Sequence, residues 1–209
     1  MILGGLKLNS FVKQTAALTI SYILMPTTFA LITFVVLAFS TRQSTGPVSI
    51  AVVSVLFGAA IPFALLIYLV TREKVSRWDV PVRQERTKPY LVSVAIYLAG
   101  FLVLFGIGAS VAVYALMFCY AANTFIIAII NSRWKISAHA MGASGPLTAL
   151  ALVFGWKEAL PLFLLVLLVA WARVELKAHT KFQVAAGAIL GILLTALQMG
   201  LFYRLNGIV

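Results

Sequence analysis

The feature that most constrains this chain is a succession of apolar runs, each about as long as a bilayer is thick. A hydrocarbon core ~30 Å deep takes about 20 helical residues to cross. Reading for such runs gives seven: 15–39, 49–71, 90–108, 110–131, 138–155, 158–173 and 182–204. The first, second, fourth and seventh are clear. The third and fourth are parted only by Gly106, Gly108 and Ser110, which reads as a tight hairpin or one long bent helix. The fifth and sixth are short and separated by Gly155-Trp156-Lys157-Glu158, with Pro161 in the first turn that follows. Of the 209 residues, 63% are hydrophobic and 10% charged, against about 25% charged in soluble domains. That excludes a soluble enzyme and a disordered chain. The expectation is an all-α, polytopic transmembrane bundle of six to seven spans, a single membrane-embedded domain over 1–209.

The run at 15–39 is far longer than the 7–15-residue hydrophobic segment of a signal peptide, so it reads as a permanent span. Pro26 and Pro62 fall inside spans, where neighbouring helices can satisfy the freed carbonyls. Cys119, the one cysteine, lies in an apolar run and permits no intrachain disulfide.

Charge is lopsided: 16 Lys and Arg against 5 Asp and Glu, net +11. With seven spans, thirteen basic residues, from Lys7 to Lys181, share one face with the N-terminus, and Arg42, Lys157 and Arg204 lie on the other. The positive-inside rule puts the first face in the cytoplasm. Because the cations sit in loops between spans, their expected partners are anionic lipid headgroups or a phosphorylated substrate, and not nucleic acid.

Both histidines fall on that basic face, each at the start of an apolar run. In 172–183, Arg173 precedes His179 by six residues and Gln183 follows it by four. At i,i+4 the Gln183 carbonyl can accept Nδ1–H of the imidazole, fix its tautomer and leave Nε2 to attack. Upstream, Ser137 and the amide groups opening the next helix can hold a phosphate, and His139 can protonate a leaving oxygen. The loop 79–89 adds Arg83, Arg86 and Lys88, read as a phosphate clamp. A basic juxtamembrane loop is also an ordinary lipid anchor.

These three stretches resemble the motifs of the type 2 phosphatidic acid phosphatase superfamily, over roughly 79–190. The family's third motif reads S-R-x5-H-x3-D; Arg173, His179 and Gln183 keep its spacing, with Ala172 in place of the serine and Gln183 in place of the aspartate. The second reads P-S-G-H, matched by Ser137 and His139. The first reads K-x6-R-P, where Lys88-Pro89 stands at R-P, Pro81 occupies the lysine position, and Arg83 or Arg86 must substitute. The resemblance implies a metal-independent membrane hydrolase, with no cofactor, acting on a lipid phosphate or polyprenyl diphosphate through a phosphohistidine. It casts His179 as nucleophile, His139 as general acid and Gln183 as orienter, with Arg173, Lys88, Arg83, Arg86 and Ser137 on the phosphoryl oxygens. The alternative is a catalytically weakened member that binds anionic lipid as a scaffold or flippase-like protein. A small transporter, with Asn123 and Gln198 as pathway residues, is a further rival.

Overall fold

The computed structural model describes residues 2–42, 44–77 and 80–208, with no account of the side chains of residues 2–10. Asp79, which opens the 79–190 region, and the side chain of Lys7 therefore lie outside the described residues. The described chain is all helical, with no strand among the described residues. In order it forms α1 (Ile2–Ile23), α2 (Pro26–Ser40), α3 (Pro47–Val55), a π-turn (Leu56–Ala60), α4 (Ile61–Thr71), a 3-10 turn (Arg83–Arg86) and α5 (Thr87–Gly106). There follow α6 (Val111–Arg133), α7 (Ala138–Phe154), α8 (Trp156–Ala159), a second 3-10 turn (Leu160–Phe163), α9 (Leu164–Glu175) and α10 (Lys181–Leu205).

Proline chemistry shapes the first half. The run 15–39 is not one straight helix: Met25 is extended, Pro26 opens α2 at its first position, and α1 and α2 meet at a 42° bend. Pro is tolerated there because its missing N–H would be an orphan anyway. Pro62 follows the π-turn at the start of α4. The two runs 90–108 and 110–131 resolve into an antiparallel hairpin, α5 and α6, and not one bent helix. Gly108, at φ +74°, supplies the left-handed residue the tight turn requires.

Length and apolarity mark four helical stretches as able to cross a bilayer: Pro47–Thr71, Arg83–Gly106, Val111–Arg133 and Lys181–Leu205, or five with the bent pair Phe11–Ile23 and Pro26–Ser40. The described residues thus form an all-helical chain built for a membrane, with four or five such spans among them by that measure. The two short runs fall below it: α7 has 17 residues, and 158–173 is interrupted by the 3-10 turn at Pro161, which leaves 12 residues in α9.

Phe34 and Leu37 of α2, Val113, Leu116 and Met117 of α6, Leu147 of α7 and Met199 of α10 form the centre of the core. The outer faces of α5 and α10 instead carry Leu102, Phe105, Leu193, Leu197 and Leu201, exposed and apolar as lipid contact demands. Helices α7 and α10 approach each other backbone to backbone. A Cβ on Gly187 would collide with the carbonyl oxygen of Ser137 and lie 3.3 Å from its carbonyl carbon. A Cβ on Gly191 would run into Ser144 Oγ and sit 2.9 Å from the Met141 carbonyl oxygen. Small residues four apart are what allow two helix backbones this close without water between them. This packing brings the N-termini of α7 and α10 together, and with them His139 and His179.

Candidate active site

The starts of α5, α7 and α10 and the ends of α6 and α9 gather at one end of the bundle. A cavity of about 390 Å³ opens there, and His139, His179, Arg86 and Arg173 all line it. Residues 93 and 40 positions apart in the chain thus meet on one void. Arg77, Lys135 and Lys177 complete the basic lining.

His179 sits one residue before the N-cap of α10 and is buried. Its orientation comes from a capping box. Thr180 Oγ1 accepts the Gln183 amide N–H at 3.3 Å, and Gln183 Oε1 accepts the Thr180 backbone N–H at 3.2 Å. That same Oε1 lies 3.2 Å from His179 Nδ1. The backbone N–H can only donate, so the amide atom facing it is oxygen, and oxygen can only accept. Nδ1 therefore carries the proton, and the neutral imidazole presents the lone pair of Nε2. The hydrogen bond expected from spacing is present, but its origin differs: His179 lies outside the helix, and the capping box draws Gln183 back to it. Burial pushes the His179 pKa down to about 3, with Arg86, Arg173 and Lys135 acting in the same sense and the Gln183 bond opposing them. At neutral pH the ring is uncharged.

Arg173 is almost wholly buried in the last turn of α9, and its Nη1 donates to Ser21 Oγ on α1 at 2.9 Å. Arg86 is equally buried. Its Nε donates to the Val80 carbonyl at 2.7 Å and its Nη1 to the Ile136 carbonyl at 3.3 Å, tying the loop before α5 to the loop before α7. Two of its five N–H groups are spent in those bonds.

The other expected phosphate ligands are placed elsewhere. Arg83 Nη1 donates to the carbonyls of Asn131, at 3.0 Å, and Ser132, while Asn131 Nδ2 donates back to the Arg83 carbonyl at 3.0 Å. Arg83 is thereby a cap on the last turn of α6, where carbonyls lack helical partners. Lys88 is exposed and is not part of the cavity wall. Ser137 is fully buried as the N-cap of α7, its Oγ accepting the Ala140 N–H at 3.3 Å, and it too lies off the wall. Of the five residues expected on a phosphate, Arg86 and Arg173 line the cavity, and Arg83, Lys88 and Ser137 do not.

Sequence reasoning missed three contributors. Ser21 stands 152 residues from Arg173 with nothing in the sequence to link them. Arg77 and Lys135 stand at no motif spacing that would tie them to the histidines, and both line the cavity. Among the described residues no three His, Cys, Asp or Glu side chains come together in a metal-binding group. Comparison with protein-family models, with curated proteins and with solved structures gives no match for this chain.

Proposed function

We propose that this protein is an integral membrane phosphatase that cleaves a lipid phosphate or polyprenyl diphosphate through a phosphohistidine, as its resemblance to the type 2 phosphatidic acid phosphatase superfamily implies. The observation that carries the reading is the oriented, uncharged His179 beside His139, Arg86 and Arg173 on one cavity. Phosphoryl transfer is mostly positioning and neutralisation of charge on the equatorial oxygens. Two buried guanidiniums supply the second, and the capping box supplies the first.

In the first step the Nε2 lone pair of His179 bonds to phosphorus as the bond to the leaving oxygen breaks. The substrate's anionic phosphate, seated beside His139, favours the charged form of that ring, which takes up a proton with the substrate and donates it to the leaving oxygen. In the second step the now neutral His139 takes a proton from water, the hydroxide bonds to phosphorus, and the P–N bond breaks to release phosphate. Gln183 keeps Nδ1–H in place throughout. Because it is an amide, it orients the ring without neutralising the imidazolium as a carboxylate would.

A count of six to seven crossings requires α7, rising ~26 Å by its length, and the interrupted α8–α9 stretch to cross as well. Seven crossings with the bent pair as the first place the basic end on the side of the N-terminus. The excess of Lys and Arg there supports a cytoplasmic location for that side.

The test is phosphate release by detergent-solubilised protein from a panel of lipid phosphates with EDTA present. Wild-type turnover should be lost in His179→Ala. His139→Ala should lose most on alkyl phosphates, whose leaving group needs a proton, and least on activated aryl phosphates. Turnover that survives His179→Ala overturns the mechanism.

A further inference from the structure

The cavity does not stop at the histidines. It continues into the apolar interior, where its wall includes Tyr97, Cys119, Tyr120, Asn123, Gly145 and Thr195. Six residues of α7 separate His139 from Gly145, a descent of about 9 Å at 1.5 Å per residue. A Cβ on Gly145 would lie 3.0 Å from Thr195 Oγ1 and 3.9 Å from Asn123 Nδ2, so glycine here leaves those two polar groups uncovered. Tyr120 lies three residues further along α6, about 4.5 Å deeper.

These groups have a definite polarity. Asn123 Nδ2 donates to Thr195 Oγ1 at 3.0 Å, and Asn123 Oδ1 accepts from Gln198 Nε2 at 2.9 Å. The amide oxygen is therefore engaged, while Nδ2 has a second N–H to give. Tyr120 Oη is buried and has no hydrogen-bond partner among the described residues. A buried hydroxyl left unsatisfied keeps its full desolvation penalty, which a hydrogen-bonding ligand would relieve. On its wall the void that begins at the phosphate site therefore meets donors, from an amide and a phenol, while the unpartnered acceptor of the network, Gln198 Oε1, is not part of that wall. A group that only accepts hydrogen bonds complements it.

We propose that Tyr120, Asn123 and Thr195 form a subsite that hydrogen-bonds an ester carbonyl of the lipid substrate, and so select acylglycerol phosphates over lipids whose chains bear no acceptor. The proposal rests on the phosphatase reading for the phosphate end. An acylglycerol phosphate carries its ester carbonyls within a few bonds of phosphorus, at the depth where the polar groups begin. A prenyl chain carries none, and would leave the Tyr120 hydroxyl facing hydrocarbon. The volume agrees with partial entry: at ~30 Å³ per water-sized group, about 390 Å³ holds a phosphate, the glycerol linkage and a short length of chain, with the remainder of the tails outside among the lipids.

The experiment compares dioctanoyl phosphatidate with its dioctyl ether analogue, which differs by the carbonyl oxygens, on full-length protein in detergent. Wild type should favour the ester in kcat/KM by roughly three- to tenfold, the scale of one neutral hydrogen bond. That ratio should fall towards one in Tyr120→Phe and in Thr195→Val. Being a ratio within each variant, it does not depend on how much of the variant folds. An ester-to-ether ratio near one in wild type, or a ratio unmoved in both variants, overturns the subsite. If neither lipid is hydrolysed, the phosphatase reading fails by itself. Calorimetric binding of the corresponding ester and ether phosphonates then judges the subsite by the same ratio.

Discussion

Gly187→Ala adds a single methyl group, yet it strikes the joint that aligns the two histidines. The glycine of α10 faces the carbonyl of Ser137, the N-cap of α7, and the Ser137 amide N–H donates to the Gln183 carbonyl at 3.2 Å. An alanine Cβ at this point overlaps that carbonyl oxygen and lies 3.3 Å from the carbonyl carbon. Ordinary non-bonded contact is near 3.5 Å or more, so the helix ends must part by about 1 Å. Backbone, unlike a flexible side-chain tip, has no rotamer by which to yield. Overpacking of this kind costs roughly 1–3 kcal/mol. A 1 Å displacement between nucleophile and acid can cost on the order of 10²-fold in rate. The expected outcome is a lower melting temperature in detergent together with a ten- to hundredfold lower rate of phosphate release, on the scale such misplacements reach. Wild-type melting and wild-type turnover in Gly187→Ala would refute the claim that this contact sets the site. Gly200→Ala, at a position with nothing within 4 Å of the added Cβ, is the matched control.

The remaining predictions address the site directly. Arg173→Ala and Arg86→Ala should each reduce kcat/KM by at least ~100-fold, since truncation removes a buried charge-assisted phosphate contact, whereas Lys88→Ala should change it less than threefold, about the scale of an exposed charge; Michaelis–Menten analysis of all three separates the two groups. Gln183→Leu should lower kcat and leave affinity for inorganic phosphate, which does not bond to the imidazole, within about threefold, because the residue orients the ring and does not touch the anion. The His179 pKa, held near 3 against about 6.5 unfolded, makes protonation oppose folding. Its contribution is intact above pH 6.5 and is lost as pH falls from there towards 3. Acid melting curves should therefore fall less steeply over that window in His179→Gln than in wild type.

How much of this was legible beforehand depends on the kind of signal. The helical membrane class follows from composition and run length, because no soluble packing hides so much apolar side chain. The pairing of His179 with Gln183 was also legible, since it is encoded within four residues. Its geometric basis was not: Thr180 and Gln183 spell a capping box, which ends the helix before His179 where an i,i+4 face would continue it. The cation assignments fared unevenly for a related reason. A run such as Arg83-Gln84-Glu85-Arg86-Thr87-Lys88 gives charge but not direction. The 3-10 turn sends Arg86 inward and Arg83 against the end of α6. Ser137 looked like a phosphate ligand and serves as an N-cap, a role that the same residue type fills equally well. Contacts that cross the fold, such as Arg173 with Ser21 or Gly187 with Ser137, have no local signature. Nor did the isolated amides Asn123 and Gln198 reveal that they bond to each other, with Asn123 on the cavity wall.

The central claim is that His179 becomes bonded to phosphorus. Its most direct test is to mix purified protein with a lipid phosphate labelled in the phosphoryl group, quench in alkali within milliseconds, and map the labelled peptide by mass spectrometry. The account predicts an acid-labile, alkali-stable phosphoryl group on the Nε2 side of His179 in wild type, accumulating further in His139→Ala with an activated aryl phosphate, where the first step proceeds without the acid and the second lacks its base. Label on any other residue, or turnover with no labelled protein at any quench time in either variant, would contradict it.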